Sequence, residues 1–429
     1  MTWLTELVSQ HSEFESPLSF WKWSALAAIS AVVKDQVWLP RYLYNLYPNV
    51  YVMLHAESGL KKGPPVSMAA RLVSTINNTK VIQGRSSIQG ILKELGTAQT
   101  VPGGKITSQS TAFICSSELT SSIVDDPVAA KILTDLYDRQ YRFGDWASLL
   151  KMESFKLNNP TITMLTATNE AMSEDFFDKS AIQGGYFART FIIYEKEENR
   201  SNALMVPPKL IPDYKELANY LRELVKLKGQ FQELGSREES DIYTEEYKDR
   251  KTDEIGYLTP AGAIYQNWYD DFKAVLKEQQ VKDNTGTLNR FGDSVLKVAM
   301  LLSLAKCPNL MIHEESMSEA ISVCEKLIGN VRRATMGKQG MSDSSPVKNH
   351  IIHELLNRET HSISQVMLMK KMWMHYSTVE EFADIMQSFE AAGMIKTSNI
   401  GNQIIYEMEP KVVKELKDFL DGKNKNEKS

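Results

Sequence analysis

Between residues 50 and 76 the chain reads "VYVMLHAESGLKKGPPVSMAARLVSTI". The opening run "VYVML" is apolar without a break, which suits a strand covered on both faces. Small residues, Gly59 and two lysines follow, and then apolar residues recur at helical spacing from about Pro65. Prolines at the start of a helix are tolerated because first-turn N–H groups lack an intrahelical partner. The result is a strand, a tight loop and a helix in direct succession. The alternation continues with the helix "SSIQGILKEL", the strand "TAFICSSEL" ending near Glu118, and the helix "DPVAAKILTDLYDRQY". After these come the strand "NNPTITMLTATN", ending in Thr168 and Asn169, and a last strand after "GGYFART" that gives way near residue 196. Strands alternating with helices predict an α/β fold built on a mostly parallel sheet.

The rest of the chain divides around this core. Residues 1–45 read as an N-terminal helical segment, 46–200 as the core, and 201–335 as a charged insertion followed by a helical lid. "MGKQGMSDSSP" has the Gly and Ser content of a linker. Residues 346–410 read as helix, helix, helix and hairpin, the order of a winged helix, and 411–429 as a disordered tail. A net charge of -5 and a pI near 5.9 exclude a uniformly basic coat but leave room for a narrow basic channel, with Lys105 a candidate member. Lys370 and Lys371, in "MLMKKMWM", would meet phosphates if that helix contacts DNA. Cys115, Cys307 and Cys324 lie far apart near apolar residues and read as buried thiols. His350, His353, His361 and His375 have no cysteine beside them to complete a zinc site. No signal-peptide pattern opens the sequence and "ALAAISAVV" is too short to span a bilayer, so a cytoplasmic protein without a membrane partner is expected.

The loop "HAESGLKKGPP" approximates the phosphate-binding pattern G-x-x-x-x-G-K-[ST], in which backbone N–H groups cradle phosphates and the Lys reaches the outer ones. Ala56, Lys61 and Gly63 depart from it, and Lys62 fits. Glu57, Ser58, Gly59, Leu60, Lys61, Lys62 and Gly63 are therefore the candidate cofactor-binding residues. Loss of the Ser/Thr hydroxyl at Gly63 removes a direct Mg²⁺ ligand. A P-loop ATPase also needs a carboxylate at the tip of a neighbouring strand, a polar sensor and a cation for developing charge. Glu118 stands where the first belongs and is the candidate for Mg²⁺ or its water, with Ser117 in place of the usual preceding Asp. Asn169 suits the sensor, and Arg189 and Arg290 are candidate arginine fingers or sensors. Each has a bland counterpart: Glu118 at a helix start, Asn169 as a cap, Arg189 after a glycine turn, Arg290 beside Asp293 on one helix.

Taken together, "FWKWSALAAISAVV", "YPNVYVMLHAESGLKKGPP", "SSIQGILKEL", "SSELTSSI", "LYD" and "GGYFAR" resemble, in that order, the phage and plasmid P-loop ATPases of the replicative-helicase type. More distantly, "TATN", the Arg189 strand and "RFGDSVLKVAMLLSLAK" are similar to MCM-like AAA+ helicases, which also end in winged helices. The resemblance covers about three-quarters of the chain, from residue 15 to 330. It implies an AAA+/RecA-like core, ATP and Mg²⁺ as cofactors, a ring-shaped homo-oligomer such as a hexamer, single-stranded DNA as partner, and movement along DNA during replication. A primase is among the partners it allows. Two other readings stay open: an ATP-switched helicase loader or initiator with little hydrolysis, and a non-enzymatic DNA-binding scaffold with a decayed loop.

Overall fold

The apolar run becomes strand β1, Tyr51–Ala56, and every one of its six residues is buried. Burial on both faces places it inside a sheet rather than at an edge. The computed structural model describes residues 2–84, 86–96, 99–101, 105–107, 109–116, 127–138, 146–149, 154–168, 185–201, 212–236, 256–278, 286–340, 345–358, 360–373, 379–400 and 403–414. Glu118, Asn169, Ser117 and His375 lie outside the described residues.

Four more strands join β1: β2 (Lys80–Gln83), β3 (Gln109–Ser116), β4 (Ser154–Thr168) and β5 (Thr190–Glu195). Their spatial order is β5-β1-β4-β3-β2, and all four pairings are parallel. The early part of β4 also pairs antiparallel with Trp146–Leu149. Parallel neighbours require crossovers, and helices supply them. Helix α1 (Trp3–Gln10) precedes α2 (Leu18–Val33), and α3 (Gly63–Ile76), α4 (Ile88–Gly96) and α5 (Pro127–Asp138) follow along the core.

Two hydrogen bonds assign faces. Ser30 of α2 meets Thr163 of β4 at 2.7 Å, whereas the Tyr51 hydroxyl donates to the Leu133 carbonyl of α5 at 2.9 Å. Tyr51 is level with Met164, the neighbour of Thr163, and successive strand residues point to opposite faces. So α2 covers one face and α5 the other, which makes three layers. Thirteen of the sixteen residues of α2 are buried, so this helix is apolar nearly all round and runs through the core. Each large side chain so buried contributes roughly 1.5–3 kcal/mol. Helix α3 starts with its prolines in the first turn and ends at Asn77, whose left-handed backbone closes onto the Val73 carbonyl.

Helices α6 (Tyr214–Val225), α7 (Pro260–Glu278), α8 (Thr287–Lys306) and α9 (Glu314–Gly340) follow. Asp213 caps α6 by accepting from the N–H groups of Lys215 and Glu216. Because α9 runs on to Gly340, the start of the expected linker is helical: one glycine inside a favourable run costs only about 1 kcal/mol. Cys115 and Cys324 are buried, but Cys307, past the end of α8, is partly exposed.

The chain forms two compact units, Met1–Lys273 with Lys282–Leu327, and Ala274–Val281 with Ile328–Ser429. In the second, α10 (Ser345–Leu356), β6 (Ser362–Ser364), α11 (Gln365–Met372), α12 (Val379–Ala391), β7 (Ile395–Ile400) and β8 (Gln403–Met408) surround a core that includes Leu355, Leu368, Phe382 and Tyr406. Their sheet is antiparallel with the order β6-β8-β7.

Candidate functional site

The strand register brings three candidate segments to one edge of the sheet. His55, next to last in β1, is level with Thr168, the last residue of β4, and Ser116 at the end of β3 is level with Thr166. The loop after β1 therefore lies beside the chain leading to Asn169, with the chain leading to Glu118 one strand further on. In open parallel sheets, ligands bind outside the carboxyl ends of the strands, where the connections diverge. β1 leads to β2 on one side while β4 leads across it to β5 on the other.

Within the loop, Gly59 takes a φ of +102° and Lys61 a φ of +43°, so the chain turns sharply before α3. Lys62 folds back over this turn and donates to the Ala56 carbonyl at 2.9 Å and the Glu57 carbonyl at 2.7 Å. Its ammonium thus occupies the concave side of its own loop. The N-terminal segment straps the loop from outside: the Ser16 hydroxyl donates to the Lys61 carbonyl at 2.7 Å, and Glu15 lies 3.9 Å from the Lys61 ammonium. Ser19 adds a 2.6 Å bond to Glu195 at the end of β5. Nearby, His11 stacks on Trp21 at 4.2 Å and meets the Tyr214 hydroxyl at 3.0 Å. Burial lowers the His11 pKa, against the raising effect of its bond to the Leu7 carbonyl.

These residues accommodate a polyphosphate in part. A helix start, a glycine turn and a lysine favour negative charge. The buried Thr168 hydroxyl, beside the loop, has no hydrogen-bond partner among the described residues, a vacancy that a ligand oxygen would fill. Against this, Pro64 and Pro65 supply no N–H to the first turn, and Gly63 offers no hydroxyl. Among the described residues no cluster of three or more His, Cys, Asp or Glu is arranged for a metal ion.

Arg189 and Arg290 sit elsewhere. Arg189 precedes Thr190, which is level with Tyr51, the first residue of β1. Six strand residues at about 3.3 Å each separate that end from the loop, roughly 20 Å. There the Arg189 guanidinium forks onto Asp138, with Nε donating to Oδ1 at 2.8 Å and an Nη donating to Oδ2, while Nη1 donates to the Gly185 carbonyl at 2.8 Å. Only 5% of the Arg189 side chain is exposed, against 46% for Arg290, whose guanidinium stands 3.7 Å from the same Asp138. The expected Arg290–Asp293 pairing is replaced by another: Asp293 accepts from the Tyr44 hydroxyl at 3.1 and 2.9 Å. Burial, followed by the Asp293 charge, raises the Tyr44 pKa.

These groups line a cavity of about 620 Å³ that also includes Asn45, Asn49 and Lys297. Lys297, 4% exposed, donates to the Asn49 backbone carbonyl at 3.0 Å and to its side-chain oxygen at 2.8 Å, and lies 3.7 Å over the Tyr137 ring. Sequence reasoning passed over Asp138, Tyr44 and Lys297. A single lysine inside "SVLKVAMLL" was a usable signal, because a charge in an apolar helix stripe requires a buried acceptor. Lys105, the candidate member of a basic channel, begins the second strand of a short antiparallel pair, Gln99–Val101 with Lys105–Thr107. No protein-family model matches the chain, and no curated protein sequence matches it. No helix among the described residues is long and apolar enough to cross a membrane.

Proposed function

We propose that the chain is an ATP-dependent DNA motor of the replicative-helicase type, built on a P-loop core with a helical lid and a winged helix. The observation that carries this reading is the convergence of the β1 loop with the carboxyl ends of β3 and β4 at one edge of a parallel sheet. Residues 57–63 would hold the triphosphate, Lys62 exchanging its two carbonyl partners for phosphate oxygens. Glu118 and Asn169 follow directly from β3 and β4 and would orient the attacking water. Mg²⁺ carried by the nucleotide would supply the charge that neutralises the leaving phosphates. Arg189 and Arg290, roughly 20 Å from the loop of their own chain, would act only on a nucleotide held by a neighbouring copy. Of the two, Arg290 is the better fitted, since Arg189 is already committed to Asp138.

In the second unit, the exposed positions among the described residues of α12 are Val379, Glu380, Asp384, Gln387, Glu390 and Ala391, with no cation among them. Such a face repels a phosphate backbone. Lys371 is held by Glu354 at 2.8 Å, which leaves the exposed Lys370 as the cation α11 offers to DNA. In the second unit DNA contact is therefore assigned to cations outside α12, Lys370 and the exposed Lys396 of β7.

The prolines of the first turn and Gly63 favour one second reading, an ATP-bound switch with little turnover. Steady-state ATP hydrolysis with Mg²⁺, with and without single-stranded DNA, tests both beside Lys62→Ala. DNA-stimulated turnover lost in the variant supports the motor. Nucleotide binding lost in the variant without turnover in either protein supports the switch. Indifference to Lys62→Ala in binding and turnover alike rejects both.

A further inference from the structure

Ahead of β1, the segments Val37–Arg41 and Tyr44–Leu46 pair antiparallel and form a hairpin whose tip is Tyr42 and Leu43. The tip is unusual in two respects. Tyr42 is 98% exposed and Leu43 68%, so two large apolar side chains stand in water side by side. Tyr42 also holds a φ of +51°, a left-handed backbone that an aromatic residue adopts at a cost. The base of the hairpin, in contrast, is firmly held. Val37 and Trp38 pair with Gly229 and Gln230, Arg41 lies 5.9 Å over the Tyr265 ring, and the Tyr44 hydroxyl is bound by Asp293. A strained aromatic tip on a rigid stem is preorganised to insert into a partner.

We propose that Tyr42 and Leu43 form the key by which the amino end of one copy of this chain seats on the carboxyl end of a second copy. Two observations select that occupant. First, Leu43 and Tyr44 line the rim of the cavity that holds Arg290, the half-exposed cation shared with an already engaged Asp138. On the proposed function, to which this step is tied, that cation requires a neighbour's triphosphate, and the triphosphate sits at the neighbour's carboxyl end.

Second, exposed apolar side chains recur at that other end. Leu18 begins α2 next to the strapped loop, and Val128 begins α5, whose far end carries Asp138 at the cavity. Apolar surface at opposite ends of the sheet makes a head-to-tail contact, which closes into a ring when the rotation allows. Nucleic acid fits the tip less well, because its two exposed side chains, Tyr42 and Leu43, offer no cation to a phosphate backbone.

Sedimentation of the full chain over a concentration series, with and without ATP and Mg²⁺, tests the key against the double variant Tyr42→Ala/Leu43→Ser. Both side chains are exposed, so the variant keeps the wild-type melting temperature. Its self-association weakens by about tenfold or more, the scale of losing a central aromatic anchor. Equal assembly of variant and wild type overturns the proposal, as does a wild type that stays monomeric throughout. Unchanged mass with lost binding to single-stranded DNA also overturns it, in favour of a nucleic-acid contact. Lys62→Ala keeps the two readings apart. If that variant binds and hydrolyses nucleotide like wild type while the tip variant still dissociates, the interface stands and the nucleotide reading falls.

Discussion

Replacing Asp138 by Ala separates the two arginines by their energetics. In the native protein Asp138 accepts both arms of the Arg189 fork, and only 5% of the Arg189 side chain reaches solvent. Removing the carboxylate strands a guanidinium where water cannot resolvate it, and breaking a buried pair in this way costs about 3–5 kcal/mol. At about 2–4 °C per kcal/mol for a large domain, the melting temperature falls by on the order of 10 °C. Arg290→Ala behaves differently, since that side chain is 46% exposed and 3.7 Å from the carboxylate; an exposed pair contributes about 0–1 kcal/mol. Urea unfolding of both variants gives the comparison, with Asp138→Leu/Arg189→Met as control, because an apolar pair of similar volume recovers much of the loss. The same Arg290→Ala protein, intact in fold, loses DNA-stimulated hydrolysis if it serves a neighbour's nucleotide. A cost below about 1 kcal/mol for Asp138→Ala, or an equal cost for Arg290→Ala, would falsify the division of labour between the two.

Gly185→Ala attacks the same pair from the backbone: φ there is +71° and a Cβ would lie 2.7 Å from Arg189 Nη1, so a loss of about 1–3 kcal/mol is expected in the same urea titration. Pro64→Ser restores one first-turn N–H to α3, and displacement of a fluorescent ATP analogue should show about tenfold tighter binding; unchanged affinity means that the helix start is not the phosphate seat. Lys34, which donates to the Asn78 carbonyl, has its pKa lowered by burial to about 8, below its ordinary 10.5, so the unfolded chain holds that proton more tightly. Its contribution to stability is complete above pH 10.5 and is lost as pH falls through 8; the stability of wild type relative to Lys34→Met should climb across that window by roughly 3 kcal/mol, and a flat difference refutes the shift.

What could be read from the sequence was what neighbouring residues determine. "VYVML" announced a doubly covered strand, and periodicity and turn residues alone placed the later strands before Glu118 and Asn169; the described strands run to Ala56, Ser116 and Thr168. Helix α9 ran into the start of the expected linker because a glycine only weakens a helix, and the continuing chain outweighed it. The cavity was not legible, for a physical reason. Asp138 and Arg189 are 51 positions apart, and Lys297 meets Asn49 across 248, so nothing local marks them as partners. Arg189 and Arg290 looked equivalent as isolated cations. Tertiary structure made one a buried strut and left the other half in water.

The geometry of the sheet then limits what any single copy can do. Its loop and its half-exposed arginine, Arg290, lie at opposite ends of β1, roughly 20 Å apart, a gap no side chain spans. Reading both as parts of one catalytic centre therefore requires two chains in head-to-tail contact. The strained aromatic tip stands beside the arginine end, where such a contact would form.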